Sequence, residues 1–283
     1  MKTIDTLIYD IQQVVKGEGS WDAAASKYLG DQISKVSFQR FSEPAKPRGY
    51  LSLSSVGTPC DRKLWYKVNQ SEKGEALNAE SLGTFFYGDL LEALIISLAK
   101  AAGHDVQGEQ DQLLVHGVKG HQDCIIDGMV VDVKSASKYS FQKFSSNALR
   151  EDDPFGYISQ LSSYLYASKD DPRVTSKKEA AFLVVQKDRF KLCLDRYDLS
   201  PELANKEAEI TKAKALVAGP MPEGRLAPVP QSKTSPNTML GINCNYCEFR
   251  KTCWPEARTF IYSTGLTHLV DVKKLPNVTE LIE

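Results

Sequence analysis

Residues 120–134 read Gly120-His121-Gln122-Asp123-Cys124-Ile125-Ile126-Asp127-Gly128-Met129-Val130-Val131-Asp132-Val133-Lys134. Two apolar runs flank Asp127-Gly128, a pair that suits the two positive φ values of a two-residue hairpin turn. With that turn Ile126 faces Met129, and pairing counts outward. Asp123 falls opposite Asp132, and His121 opposite Lys134. Side chains alternate between faces along a strand. His121, Asp123, Asp132 and Lys134 therefore share one face, while Cys124, Ile126, Val131 and Val133 form the other, a core face. Directly opposed carboxylates have Cβ atoms about 5 Å apart and repel, so they need a cation. Lys134 sits beside them, and paired hard oxygen ligands also suit Mg²⁺ or Mn²⁺. A solvated polar hairpin face carries the same residue types, and the hairpin alone leaves both readings open.

The surrounding chain predicts an alternation of helices and strands. Residues 1–45 read as amphipathic helix, with Ser20 as an N-cap and Gly30 as a stop. Residues 43–59, rich in Pro, Ser and Gly, read as a connector. A short helix follows from 60 to 69 and a longer one from 80 to 102, where Leu90, Leu91, Leu94, Ile95, Leu98 and Ala99 make a stripe at helical spacing. Strands are expected at 112–115, 119–126 and 129–135, a helix at 154–168, and strands at 180–187 and 190–197. Ser200-Pro201 starts a helix to about 218, with Ser200 as N-cap. Residues 219–237 read as loop, and the cysteine-bearing end and a tail follow. The order predicts an α/β class: a central mixed sheet flanked by helices. The expected division is an N-terminal helical segment (1–50), a core (51–240) and a C-terminal cysteine region with a tail (241–283).

The chain has 283 residues, 42% hydrophobic and 25% charged, enough to bury a core without disulfide staples. Lys plus Arg number 35 and Asp plus Glu 36, a net charge of −1, which excludes a histone-like binder but not a local basic groove. No run approaches 18 apolar residues, so no membrane-spanning helix is expected. The opening Met-Lys-Thr-Ile-Asp-Thr-Leu-Ile-Tyr-Asp places acids where a signal peptide needs an apolar stretch, and a cytoplasmic location is expected. No Gly-x-x-x-x-Gly-Lys-Ser/Thr loop occurs, so any unwinding of a duplex needs a partner.

Six cysteines are present. Cys244-Asn245-Tyr246-Cys247 is a Cys-x-x-Cys, and Cys253 follows after five residues. In an intracellular chain such crowding favours a metal over disulfides. Cys193 lies in an alternating strand pattern and Cys124 on the core face of the hairpin, so both read as structural.

Asp-x-Lys at Asp132-Val133-Lys134, with Asp123 on the preceding strand, resembles the PD-(D/E)XK nuclease superfamily, and in particular its RecB-like branch. Gly88-Asp89-Leu90-Leu91-Glu92 lies on the upstream helix where the branch usually places a His; this chain has Glu92 there. Tyr157-Ile158-Ser159-Gln160-Leu161-Ser162-Ser163-Tyr164 matches the branch's Gln-x-x-x-Tyr helix, with Gln160 and Tyr164 on one helix face. The resemblance covers about residues 50–255. It implies a restriction-endonuclease-like core that hydrolyses DNA phosphodiesters with Mg²⁺ or Mn²⁺. Asp123, Asp132 and Glu92 would hold the ion together with the Val133 carbonyl, Lys134 would act on water and on developing charge, and His121 would orient water or phosphate. Gln160 and Tyr164 would position DNA, Tyr164 by base stacking, with Lys138 and Arg62 among the basic contacts.

Cys60, ahead of Asp61-Arg62-Lys63-Leu64-Trp65-Tyr66, resembles the early ligand of the iron–sulfur members of this branch. These include the CRISPR-associated RecB-like exonuclease family and AddB-type nuclease domains. There, one early Cys and a late Cys-x-x-Cys-x5-Cys hold a 4Fe–4S cluster; a four-cysteine zinc site fits the same residues. The activity implied is a single-strand-preferring 5′→3′ exonuclease in recombination, repair or DNA processing. The alternatives are a nuclease trimming CRISPR prespacers, or a non-catalytic DNA-binding or inhibitory module. Single-stranded DNA, and a helicase, recombinase or CRISPR adaptation proteins, are the partners implied, with no membrane.

Overall fold

The computed structural model describes residues 2–42 and 49–282. Two helices, α1 (Leu7–Val15) and α2 (Ala23–Ser42), precede α3 (Asp61–Asn69) and α4 (Ala79–Ala101). Strands β1 (Val106–Gln107), β2 (Gln112–Val115), β3 (Val118–His121), β4 (Cys124–Ile126) and β5 (Met129–Ala136) follow. Then come α5 (Lys138–Ser145), α6 (Tyr157–Ala167), β6 (Glu179–Gln186), β7 (Leu192–Asp198) and α7 (Ser200–Ala218).

The central sheet runs β1-β4-β5-β6-β7. Only β5 and β6 pair in parallel, and the other neighbours are antiparallel, so the sheet is mixed. Helices cover both faces, as parallel pairing in a sheet generally requires. On one face Ile125, Val130, Phe182 and Val184 pack with Leu161 and Leu165 of α6, Ile210 of α7 and Phe144 of α5. On the other, Cys124, Ile126, Val131 and Val133 meet Leu91, Ile95 and Leu98 of α4 and Leu7 and Ile11 of α1. The fold is α/β, a mixed sheet flanked by helices.

Local chemistry starts the helices that matter for the site. Asn78 accepts the Ser81 N–H at 2.8 Å to cap α4. The Asp153 carboxylate takes the N–H groups of Tyr157 and Ile158, both at 2.9 Å, satisfying two orphan donors at the start of α6. Among the described residues α4 is long and apolar enough, by length and composition, to cross a membrane. Its C-terminal half, from Leu91 on, is buried against the sheet.

Several expectations are corrected. Gly30 does not stop a helix: α2 runs through it to Ser42, and Asp22 rather than Ser20 caps it, accepting the Ala25 N–H at 2.8 Å. The connector expected at 43–59 falls partly outside the described residues. The single strand expected at 119–126 is two: β3 pairs with β2 in a separate ribbon, and β4 enters the main sheet. The tail is not isolated: with β8, inside the stretch 219–237 expected as loop, and β9 it forms a five-stranded sheet ordered β12-β10-β11-β9-β8. The sheet is built from β8 (Val229–Pro230), β9 (Thr238–Met239), β10 (Arg258–Tyr262), β11 (Gly265–Asp271) and β12 (Glu280–Leu281). Between β9 and β10 lie the one-turn helices α8 (Ile242–Asn245) and α9 (Arg250–Cys253).

Candidate functional site

The hairpin register is as counted: Ile126 pairs with Met129, Ile125 with Val130 and Cys124 with Val131. The ladder ends there. The chain turns inward at Gln122, which is fully buried and accepts the Ser168 hydroxyl at 3.1 Å. Asp123 therefore does not oppose Asp132 in a ladder. It lies beside the freed edge of β5, and its Oδ2 takes the Val133 N–H at 2.8 Å. N–H and C=O of one strand residue point to the same edge, so the Val133 carbonyl also faces this side. His121 is not opposite Lys134; it pairs with Gln112 in the β2–β3 ribbon and is exposed, away from the carboxylates.

Asp132 and Lys134 project from β5 toward α6. Asp132 is only 1% exposed, and Lys134 Nζ lies 2.6 Å from its Oδ2. That contact is a close, buried ion pair. Gln160 Nε2 stands 3.4 Å from Asp132 Oδ1 and donates to the Tyr164 hydroxyl at 2.9 Å. The Tyr157 ring lies under Lys134, 5.1 Å from Nζ to its centroid. From α4, Glu92 joins the same charge cluster and accepts a hydrogen bond from Gln110 Nε2 at 2.7 Å. Gln110 itself has φ 55, left-handed backbone that is rare outside glycine. Sequence reading missed Gln110 and the role of Tyr157; a positive φ leaves no mark in periodicity.

Burial dominates the electrostatics. It pushes Asp123 well above the usual carboxylate range, helped by the charges of Asp132 and Glu92. Glu92 is pushed up to about 7, first by burial and then by Asp132 and Asp89, against the Gln110 hydrogen bond. For Lys134 burial acts downward, but the Asp132 and Asp123 carboxylates outweigh it and hold the ammonium protonated. Tyr164 is pushed up to about 12 by burial. At 4% exposure it has no open ring face, so it does not stack on a base as expected; its hydroxyl instead anchors Gln160.

These shifts carry a stability prediction for protein stripped of divalent ions. The folded pKa of Glu92 lies above its ordinary 4.5, so between 4.5 and about 7 the folded chain binds more protons than the unfolded one. Stability therefore falls as pH rises through this window, by up to about 3 kcal/mol for Glu92. Asp123 acts in the same direction. Glu92→Gln should flatten the decline, read by denaturant unfolding in EDTA at steps of pH. An unchanged slope in that variant contradicts the assignment.

Lys138 is exposed at the start of α5. Arg62 lies elsewhere: its Nη1 donates to the Pro222 and Glu223 carbonyls at 3.0 and 3.1 Å, and its guanidinium bears on Cys253.

Cys60, at the N-cap of α3, lines one small pocket with Cys244, Cys247 and Cys253, closed by Tyr66, Phe249 and Trp254. Tyr66 and Phe249 stack at 5.4 Å. Burial raises the Cys244 and Cys253 thiols and pushes Cys247 up to about 12. Cys124 is buried on the α4 side of the sheet, and Cys193, on β7, pairs with Val184 of β6, both outside the pocket. Among the described residues, no three His, Cys, Asp or Glu side chains are arranged to hold a metal ion as they stand. The donor chemistry nonetheless fits: four sulfurs around one pocket suit zinc or an iron–sulfur cluster, and the clustered carboxylates of Glu92, Asp123 and Asp132 suit a hard divalent ion.

No family model matches the chain, and no curated protein matches it. Among solved structures it is similar to the one described as "Crystal structure of SSO0001", with 15% identity and a TM-score of 0.40 over 78% of this chain and 91% of that one.

Proposed function

We propose that the chain is a divalent-metal-dependent DNA nuclease, a single-strand-preferring 5′→3′ exonuclease of recombination, repair or DNA processing. The observation that carries this reading is the convergence of Glu92, Asp123, Asp132 and Lys134 at one edge of β5. The resemblance to PD-(D/E)XK nucleases assigns catalysis to the same residue types. Asp123, Asp132 and Glu92, with the Val133 carbonyl, would hold Mg²⁺ or Mn²⁺. Bound there, the ion supplies Lewis-acid polarisation of a phosphoryl oxygen and an acidified water. Lys134 offers a fixed positive donor to charge that develops on the phosphoryl oxygens. Gln160, held by Tyr164, steadies Asp132. Cys60, Cys244, Cys247 and Cys253 would hold a 4Fe–4S cluster, with zinc as the alternative, clamping the start of α3 to the C-terminal region. A cytoplasmic location, with a helicase, recombinase or CRISPR adaptation protein as partner, accords with this activity.

The test uses end-labelled linear single strands, a circular single strand and a blunt duplex, each with Mg²⁺, Mn²⁺ or EDTA. Metal-dependent release of nucleotides from the 5′ end of the linear strand is expected, with the circle resistant. Cleaved circles would make the enzyme an endonuclease. Absence of cleavage on every substrate, with binding retained, would favour a DNA-binding module.

A further inference from the structure

Four buried side-chain atoms among the described residues lack a hydrogen-bond partner: Arg62 Nε, His104 Nε2, Asp132 Oδ2 and Trp254 Nε1. Buried polar groups are almost always paired, so each such exception calls for a reason. Two of the four, both N–H donors, stand at the cysteine pocket: Trp254 lines it, and Arg62 lies on α3 next to the lining residue Lys63. The Trp254 indole bears on Cys244, and the Arg62 guanidinium on Cys253.

Neither side chain is free to turn elsewhere. Arg225 stacks its guanidinium 3.8 Å from the Trp254 ring centroid and donates to the Cys253 carbonyl at 2.9 Å. Arg62 is pinned through its other nitrogens by the Pro222 and Glu223 carbonyls and, at 3.3 Å, by the Tyr66 hydroxyl. A neutral thiol is a weak acceptor, whereas an anionic sulfur is a strong one. Two pinned and unpaired donors beside two thiols suit a pocket whose sulfurs would become anionic on binding a metal.

We infer that Trp254 and Arg62 are positioning residues for the thiolate-held group. Trp254 Nε1–H donates to Cys244 Sγ and the Arg62 guanidinium to Cys253 Sγ, and together they set its reduction potential. This rests on the four-cysteine reading above. Donors to the sulfurs stabilise the reduced, more negative state of an iron–sulfur centre. Trp254→Phe keeps the ring and removes only the N–H. Arg62→Leu removes donor and charge, and Arg62→Lys keeps the charge.

The full chain and each variant are reconstituted anaerobically with iron and sulfide, then compared by iron content, absorption spectrum and redox titration. Trp254→Phe should bind as much iron as wild type with a more negative midpoint potential. Arg62→Leu should shift further in the same direction, and Arg62→Lys should recover part of the shift. Wild-type potentials in both Trp254→Phe and Arg62→Leu overturn the inference while leaving the four-cysteine site in place. If wild type takes up Co²⁺ but no iron, the comparison moves to the sulfur-to-cobalt charge-transfer bands. A shift in Trp254→Phe then sustains the donor role, and unchanged bands overturn it. Wild-type protein that takes up neither metal overturns the four-cysteine reading and the donor assignment with it.

Discussion

Lys134→Ala and Asp132→Asn are both expected to abolish metal-dependent cleavage, yet to separate sharply in the stability of the metal-free protein. The activity losses differ in origin. On the proposed reading, Asp132→Asn would delete a charged ligand of the divalent ion and should cost about 10³-fold, while Lys134→Ala would remove a fixed donor to transition-state charge and should cost about 10²–10³-fold. The stability effects follow from counting charges. Glu92, Asp123 and Asp132 share the ammonium of Lys134 within this cluster. Lys134→Ala leaves three carboxylates without that cation, and breaking a buried pair from one side typically costs about 3–5 kcal/mol. The loss should shrink as pH falls through about 7, because Glu92 then takes up its proton, with Asp123 shifted in the same direction. Added Mg²⁺ or Mn²⁺ should restore part of it, since an ammonium group is not a ligand and the oxygens remain. Asp132→Asn also breaks the pair at 2.6 Å, but it relieves repulsion with Asp123 and Glu92 and leaves Lys134 near Asp123. Its metal-free stability should stay within about 1 kcal/mol of wild type. Thermal unfolding in EDTA, with and without added metal, reads both. Equal destabilisation by the two substitutions would refute the shared-lysine arrangement, and near wild-type cleavage in both would refute the catalytic assignment.

The second large effect is expected at the cysteine pocket. Cys60→Ser should lose the bound metal and destabilise the whole chain, whereas Cys193→Ser should do neither. Cys60 and Cys244 are about 180 residues apart in sequence, and joining positions so distant removes much of the unfolded chain's freedom. By analogy with covalent cross-links closing loops of about 100 residues, a metal clamp there would contribute about 4–5 kcal/mol, and metal binding would become folding free energy. The readouts are metal content and unfolding with and without chelator. A chelator that leaves wild-type unfolding unchanged would remove the clamp, whatever metal is present. Brown protein absorbing near 400 nm marks iron–sulfur, and colourless protein with stoichiometric zinc marks the alternative.

Interactions between near neighbours were legible in the chain itself. Asp127-Gly128 set the turn, and with it the pairing of Ile126 with Met129 and Cys124 with Val131, because a two-residue loop leaves one register. Helical spacing placed Gln160 above Tyr164, where they hydrogen-bond. The mixed α/β class followed from the order of elements. Counting failed one residue beyond the last paired position. Gln122 turns inward to meet Ser168, 46 residues later, and this carries His121 away to β2 and brings Asp123 to the Val133 N–H. A ladder extended by local counting cannot register a competing partner that arrives from another helix.

The sequence by itself determined the hairpin, the helical faces and the spacing of the candidate site's side chains, since these depend on turns and on periods of two and 3.6 residues. Tertiary structure alone decided the rest. It brought Glu92 from α4 to the edge of β5 and Cys60 to a pocket formed at the other end of the chain. It assembled β8 to β12, three of them only two residues long, into a sheet. Strands so short carry no periodicity of their own, and the burial that pushes Glu92 up to about 7 exists only once distant segments exclude water from one another.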